Sequence, residues 1–473
     1  MTDLPTTYEE LLDAIGGNDN SGKAIPNPST DETVGYVQIA GVDELNNAVD
    51  IAKKKQKEWG KLSHAERSDY LNKVADAIEK TAEPLAQLLS REQGKPLNGP
   101  NARFEVGACV SWTRATAGFE LKPEVVVDDG ETYATLEYRP IGVVGAIGPW
   151  NWPMMISIWQ IIPALRMGNT VVMKPSSSTP LSVLALVYVL NSVLPEGVLQ
   201  ILVTDREATT ALTTHPDIRK IMFTGSTPTG KKIIEASASN VKRVTMELGG
   251  NDAGIVLDDF DVKEHAETLF WGAFLNTGQT CAALKRLYVH DSVYDEVCEA
   301  LTEVAKNMPM GDGLDENNVL GPVQNADQFK IVDDLVKAAV DSGARVLIGA
   351  NPDYDAPGNF YPTTLIADID PDNPLVLTEQ FGPALPIIRY TDLDWAIEEA
   401  NKIEEALGSS VWSSNRERAR EVAALIEAGT TWINNHGAID PRIPFGGQKQ
   451  SGYGLEFGVE GLKHLGAPQV ING

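Results

Sequence analysis

Cys281 is one of only three cysteines in a chain of 473 residues, and its setting, FLNTGQTCAALKR over 274–286, sets it apart. Cys109 and Cys298 lie in helix-like patterns and read as small buried hydrophobes. Cys281 follows small and polar residues and reads as the opening of a helix continued by Ala282, Ala283 and Leu284. A thiol there faces unpaired N–H groups and the positive end of the helix dipole, which favours thiolate. The alternative is a structural cysteine, but Gly278 and Gln279 suit a tight, accessible turn better than a core helix.

Three further segments carry groups of the kind that complete such chemistry. In TMELGGND (245–252) a strand delivers Glu247 into Gly249-Gly250. A carboxylate so placed is either a surface group or a partly buried base with a raised pKa. In GPWNWP (148–153) Asn151 sits in a strand-to-helix loop pinned by two prolines, where its amide can cap the helix or stabilise an oxyanion. In IMFTGSTPTGKK (221–232) a strand runs into Gly225-Ser226 and then Gly230 at a helix start, which presents backbone N–H groups to a phosphate. The spacing is not G-x-G-x-x-G, so that segment is unspecific taken alone.

The elements that must position these groups follow from periodicity. Asp43 to Leu89 is helical, with Leu71, Val74, Ala75 and Ile78 on one face. Residues 124–138 alternate around Asp129-Gly130 and read as a hairpin. From 141 onward short apolar strands (141–151, 170–175, 199–203, 220–224) alternate with helices, including Ile156–Met167 and Leu181–Leu194. This is the pattern of a parallel sheet covered on both faces. A second α/β region runs from about Gly250 to Gly429. The fold class expected is therefore α/β, two lobes plus a hairpin appendage.

Composition narrows the partners. Sixty-six acidic against 39 basic residues leave a net charge of −27, a surface that repels phosphate backbones and anionic lipid, so neither nucleic acid nor membrane is expected. The acidity is read as a solvated surface or as adaptation to high salt. With 42% hydrophobic and 22% charged residues the chain is an ordinary globular one. No stretch approaches the ~20 apolar residues that span a bilayer, and the acidic, polar N-terminus lacks a secretory core. A cytoplasmic protein is expected. The six histidines are scattered and no Cys/His cluster has ligand spacing, so no metal site is expected.

In order, PWNWP, VVMKPSSSTP, FTGSTPTGK, MELGGND, NTGQTC, EQFGP (379–383) and PFGGQKQSG (444–452) strongly resemble the aldehyde dehydrogenase superfamily, over about residues 25–465. The resemblance implies two Rossmann-like lobes and a β-hairpin oligomerisation appendage. A dinucleotide-binding domain would comprise 1–118 and 139–248, a catalytic domain 249–447, and a bridging segment 119–138 with 448–473. It implies that Cys281 attacks an aldehyde to give a thiohemiacetal. The Cys281 N–H and the Asn151 amide would hold the oxyanion, and Glu247 would activate water to hydrolyse the thioester left after hydride transfer. Relatives that pass the acyl group to coenzyme A generally lack that Glu.

For an NAD or NADP cofactor, the resemblance implies Lys174 at the adenosine ribose and Ser226 with the Gly225 backbone at the pyrophosphate. Glu379 would bond the nicotinamide ribose, Phe381 would lie beside the ring, and Trp150 and Leu248 would line its slot. NAD-preferring relatives commonly carry a Glu where this chain has Ser177, so NADP activity at least comparable to NAD is expected. The stretch 202–216 departs from the family's Gly-rich pattern, which leaves the adenine side open. Succinic semialdehyde dehydrogenases clamp a distal carboxylate with arginines at positions that here are Trp159 and Leu275. Uncharged aliphatic or aromatic aldehydes are therefore expected, the alternatives being a succinic-semialdehyde-type enzyme or a non-catalytic family member. A homodimer or homotetramer is implied, its last strand supplied by Pro468 to Ile471.

Overall fold

Val143–Ile147 is buried along its whole length, and Thr170–Lys174 along all but its last residue, because both lie inside a sheet covered on two sides. The computed structural model describes residues 4–473. Its six-stranded sheet runs, edge to edge, Gly452–Tyr453, Arg243–Glu247, Ile218–Thr224, Val143–Ile147, Thr170–Lys174 and Leu199–Ile201. All neighbours are parallel except the first pair, in which Gly452 opposes Glu247. From Val143–Ile147 the chain winds one way through the next two strands and then crosses to the other side. This places a topological switch point at the carboxyl ends of Val143–Ile147 and Ile218–Thr224, where α/β sheets open a crevice. Asn151 and Ser226 lie just beyond those two ends.

The helix after the first of these strands is Pro153–Arg166, every residue of it buried. It starts three residues before the expected Ile156 because Pro153 takes the first turn, where a missing N–H costs nothing. The next helix, Pro180–Asn191, opens on a proline in the same way.

Only Leu248–Asn251 separate the first sheet from the second. That sheet has seven strands in the order Arg345–Ile348, Thr364–Ala367, Ala384–Tyr390, Leu284–His290, Asp252–Val256, Gly408–Trp412 and Thr430–Ile433. All pairs but the first are parallel. Alternate residues feed separate cores: Ile255, Tyr288 and Ile388 enter one, Val256, Leu287 and Ile387 the other.

One expectation is overturned here. Cys281 does not open a helix. Residues 281–283 form a turn that enters the strand Leu284–His290, and the run Ala282-Ala283-Leu284 is buried strand lead-in. Alanine's helix propensity yields to the pairing of Leu284 with Asp252 in the parallel ladder.

The third sheet is the hairpin Glu124–Asp128 and Tyr133–Pro140 joined by Gly466–Asn472, which pairs antiparallel with the second strand from Gly466↔Pro140 to Asn472↔Ala134. The C-terminal stretch 448–473 is thus divided, Gly452–Tyr453 extending the six-stranded sheet and Gly466–Asn472 the hairpin. No helix among the described residues is long and apolar enough to cross a membrane.

Candidate active site

The carboxyl ends of the first sheet face the amino ends of the second, and the sequence motifs are the loops between them. A cleft of about 670 Å³ opens there, and its walls include Trp150, Asn151, Gly225, Ser226, Leu248, Cys281, Glu379 and Phe381. Gln328 and Ile331, from the helix Ala326–Asp341, also line it. Nothing in their local sequence distinguishes them, since an amide and an aliphatic on an amphipathic helix carry no motif.

Close approach explains the glycines. A Cβ on Gly249 would stand 2.4 Å from Glu379 Oε2, and one on Gly250 2.9 Å from the Cys281 carbonyl. A Cβ on Gly278 would stand 2.2 Å from the Gly382 carbonyl, and Gly278 has φ +76°. NTGQTC, MELGGND and EQFGP therefore need small residues because they touch one another. Before Cys281 the backbone turns through Asn276 and Thr277, both in the left-handed region at φ 51° and 57°.

Asn151 does not cap the following helix. Its Nδ2 donates to the Gln279 carbonyl at 2.9 Å, which sets the amide against the Cys281 loop. Its own carbonyl accepts from Asn276 Nδ2 at 2.9 Å and from Lys95 Nζ at 2.8 Å. Lys95 is fully buried, paired with Glu105 at 2.7 Å and 3.5 Å from the Trp152 ring centroid. Burial pushes the Lys95 ammonium down to about 8, with Glu105 opposing. Glu105 also accepts the N–H groups of Met154 and Met155 at 2.9 and 3.0 Å, satisfying the first turn of Pro153–Arg166. Neither Lys95 nor Glu105 was foreseen, since only the fold brings them behind Asn151.

Cys281 is a free, partly exposed thiol, whereas Cys109 and Cys298 are buried. Burial of the sulfur pushes its pKa up to about 12. Lys285 opposes that rise, and Glu247, Glu379 and Asp252 add to it. Glu247 is buried at the end of its strand, and neither carboxyl oxygen has a partner among the described residues. Burial, and then the neighbouring Glu456, hold its pKa well above the usual carboxylate range. Glu456 is likewise buried and is raised to about 7 by burial, with Lys220 opposing. Glu456 lies beyond the PFGGQKQSG motif and was also missed.

Glu379 Oε1 accepts from Lys285 at 2.7 Å and from the Gly250 N–H at 3.2 Å, while Oε2 has no protein donor among the described residues. With 24% of its side chain exposed, it offers that oxygen to the cleft. Trp150 and Phe381 meet edge to face at 5.3 Å. Gly225 N–H donates to the Glu247 carbonyl at 3.0 Å, and Ser226 begins the helix Thr227–Ser237, held against Leu248 through Gly230.

Lys174 and Ser177 stand outside the cleft walls. Lys174 is partly buried and Ser177 is exposed. Lys23 Nζ donates to the Ser177 carbonyl at 3.2 Å, so a second lysine stands at this position. Trp159 lies in an aromatic group with Trp112 and Phe457, ring centroids 4.8–5.7 Å apart. Leu275 and Cys281 pack against the same apolar core.

The chain as a whole is similar to known proteins. The pattern described as "Aldehyde dehydrogenase family" matches residues 17–471. Aldehyde dehydrogenase LUC3 of Fusarium sp is 38% identical over 97% of this chain and 96% of its own length. The phenylacetaldehyde dehydrogenase of Pseudomonas fluorescens is 35% identical over 95% of this chain and 93% of its own. The NAD+ complex of an aldehyde dehydrogenase from Bacillus cereus superposes with a TM-score of 0.91 at 33% identity, covering 95% of this chain and 92% of that one.

Proposed function

Because the chain belongs to the aldehyde dehydrogenase family, NAD(P)-dependent oxidoreductases that convert aldehydes to acids, we propose that it does so through Cys281 and Glu247. The observation that carries this reading is a free thiol and an amide on the walls of one cleft, with an unpartnered buried carboxyl behind those walls close enough to act on the thiol. The Cys281 thiolate adds to the aldehyde carbon, and the Asn151 amide and the Cys281 N–H stabilise the oxyanion from fixed positions. A nicotinamide held in the cleft would supply the acceptor for the hydride lost from the carbon bonded to Cys281, leaving a thioester. Glu247, in its ionised form, then takes a proton from water attacking the thioester on Cys281, which releases the acid and restores the thiol.

The cleft suits a dinucleotide. Ser226 and the Gly225 backbone at the start of Thr227–Ser237 provide the pyrophosphate position. Glu379 Oε2 is free to accept from a ribose hydroxyl. At the adenosine ribose, a neutral, exposed Ser177 between Lys174 and Lys23 favours a 2′-phosphate where a carboxylate would repel it. NADP is therefore used at least as well as NAD. The six-stranded unit holds the cofactor and the seven-stranded unit the nucleophile. The hairpin sheet, with Val125, Val126, Val470 and Ile471 exposed, meets a second copy of the chain.

Substrates are uncharged aliphatic or aromatic aldehydes. Trp159 and Leu275 are apolar where a carboxylate clamp would need cations, and Trp159 belongs to, and Leu275 packs against, the apolar core on which Cys281 also packs; burying apolar substrate surface gains roughly 25 cal/mol per Å². The phenylacetaldehyde specificity named for the Pseudomonas relative is of this class. The test is formation of reduced cofactor with hexanal, phenylacetaldehyde and succinic semialdehyde, with NAD and NADP in parallel. We expect higher kcat/KM for the first two aldehydes and none with Cys281→Ala. A clear win for the semialdehyde overturns the substrate reading, and turnover by Cys281→Ala overturns the mechanism.

A further inference from the structure

With Cys281 in a strand lead-in, it opens no helix whose N-terminus could favour its thiolate, and the cation that acts on it is a lysine. Lys285 is the second residue of Leu284–His290, and its side chain is 2% exposed. Its ammonium donates to the Cys281 carbonyl at 2.6 Å, to the Gly250 carbonyl at 2.8 Å and to Glu379 Oε1 at 2.7 Å. Three donors meet three acceptors, so the charge has one position. The acceptors come from the lead-ins of three adjacent parallel strands, Asp252–Val256, Leu284–His290 and Ala384–Tyr390. The Phe381 ring centroid is 5.5 Å away.

The charged groups that face the thiol are Lys285 from the strand that follows it, Glu247 from the end of Arg243–Glu247, Asp252 from the start of Asp252–Val256, and Glu379 from the lead-in to Ala384–Tyr390. Behind Asp252 stands His436, with Nε2 3.3 Å from the carboxylate. One cation thus works against three carboxyl groups in a buried setting, where a charge acts far more strongly than in water. We propose that Lys285 is the counter-charge of the Cys281 thiolate and the positioning residue that fixes Glu379 relative to it.

The proposal rests on Cys281 being the nucleophile, and its test reads the thiol without any turnover. In the purified full-length enzyme, iodoacetamide capture of the Cys281 peptide is followed by mass spectrometry across the pH range in which thiols ionise. Lys285→Met is expected to slow capture at neutral pH about ten-fold or more. Lys285→Arg, which keeps the charge, is expected to stay near wild type. If Lys285→Met does not fold, Lys285→Gln keeps N–H donors without the charge and makes the same measurement. An unchanged capture rate at neutral pH in the neutral variant, or an equal slowing in Lys285→Arg, overturns the proposal. Failure of the nucleophile reading shows separately, as aldehyde oxidation by Cys281→Ala.

Discussion

Two carboxyl groups are buried close to the Asn151 and Cys281 loops, and the protein treats them in opposite ways. Glu105 is fully paired: one oxygen takes the Lys95 ammonium and the other takes two N–H groups at the start of Pro153–Arg166. Glu247 has no donor on either oxygen among the described residues, and its charged neighbour is another acid, Glu456. A buried carboxylate with both oxygens answered is scaffolding, whereas one left bare has its pKa raised and a reason to exchange protons with water. The first group holds the Asn151 loop still; the second is held ready to react.

Glu247→Gln tests the reactive side of this contrast and has the largest expected effect. Steady-state turnover should fall about 10²–10⁴-fold, as for loss of a general base, while the first-turnover burst of reduced cofactor persists. Stability should be unchanged or higher. Glu247 has a raised folded-state pKa, so the folded chain keeps its proton where the unfolded chain, near 4.5, releases it. The group therefore costs stability as pH rises between those two values. A lost burst, or a less stable variant, breaks the contrast.

Lys95→Met tests the scaffolding side. It strands a buried carboxylate, and breaking such a pair costs about 3–5 kcal/mol, to be read from denaturant unfolding. A stability loss within error of zero would mean that the pair does not hold the loop.

Glu456→Gln sharpens the contrast further. The two acids titrate together, and removing the like charge should lower the pH midpoint of deacylation by about one unit. The ionised, active form of Glu247 would then predominate at lower pH. A midpoint that stays put would show that Glu247 is raised by burial alone.

The smallest effect is a control remote from both acids. Ser177→Glu should cut the NADP-to-NAD ratio of kcat/KM about ten-fold through repulsion of the 2′-phosphate, leaving the burst and the deacylation midpoint unchanged. Movement of either would tie the adenosine end to the acids.

Much of this was legible in the chain itself. The strands read at 141–151, 170–175 and 220–224 overlap Val143–Ile147, Thr170–Lys174 and Ile218–Thr224, and Asp129-Gly130 marks the hairpin turn, where Gly130 has φ +88°. Glu247, Asn151 and Ser226 could be singled out because each lies within two residues of glycine or proline at the end of an apolar strand or in a connecting loop, and Glu379 through the resemblance of EQFGP to the family's motif. The helix read at Cys281 was the local error. Side-chain propensity over three residues is worth only tenths of a kcal/mol per residue, while pairing in the ladder with Asp252–Val256 satisfies buried backbone groups.

What the sequence by itself determined is therefore the set of reactive side chains, the strands that carry them, and the glycines that permit close approach. What only the tertiary structure decided is the charge around them. Lys95 meets the Asn151 carbonyl across 56 positions, Lys285 meets Glu379 across 94, and Glu247, midway along the chain, faces Glu456 near its C-terminus. Local patterning records which face of an element is buried. It does not record which buried charge lies opposite, because that depends on how strand order and connection bring distant loops together, and on a desolvation energy that exists only once water has been excluded.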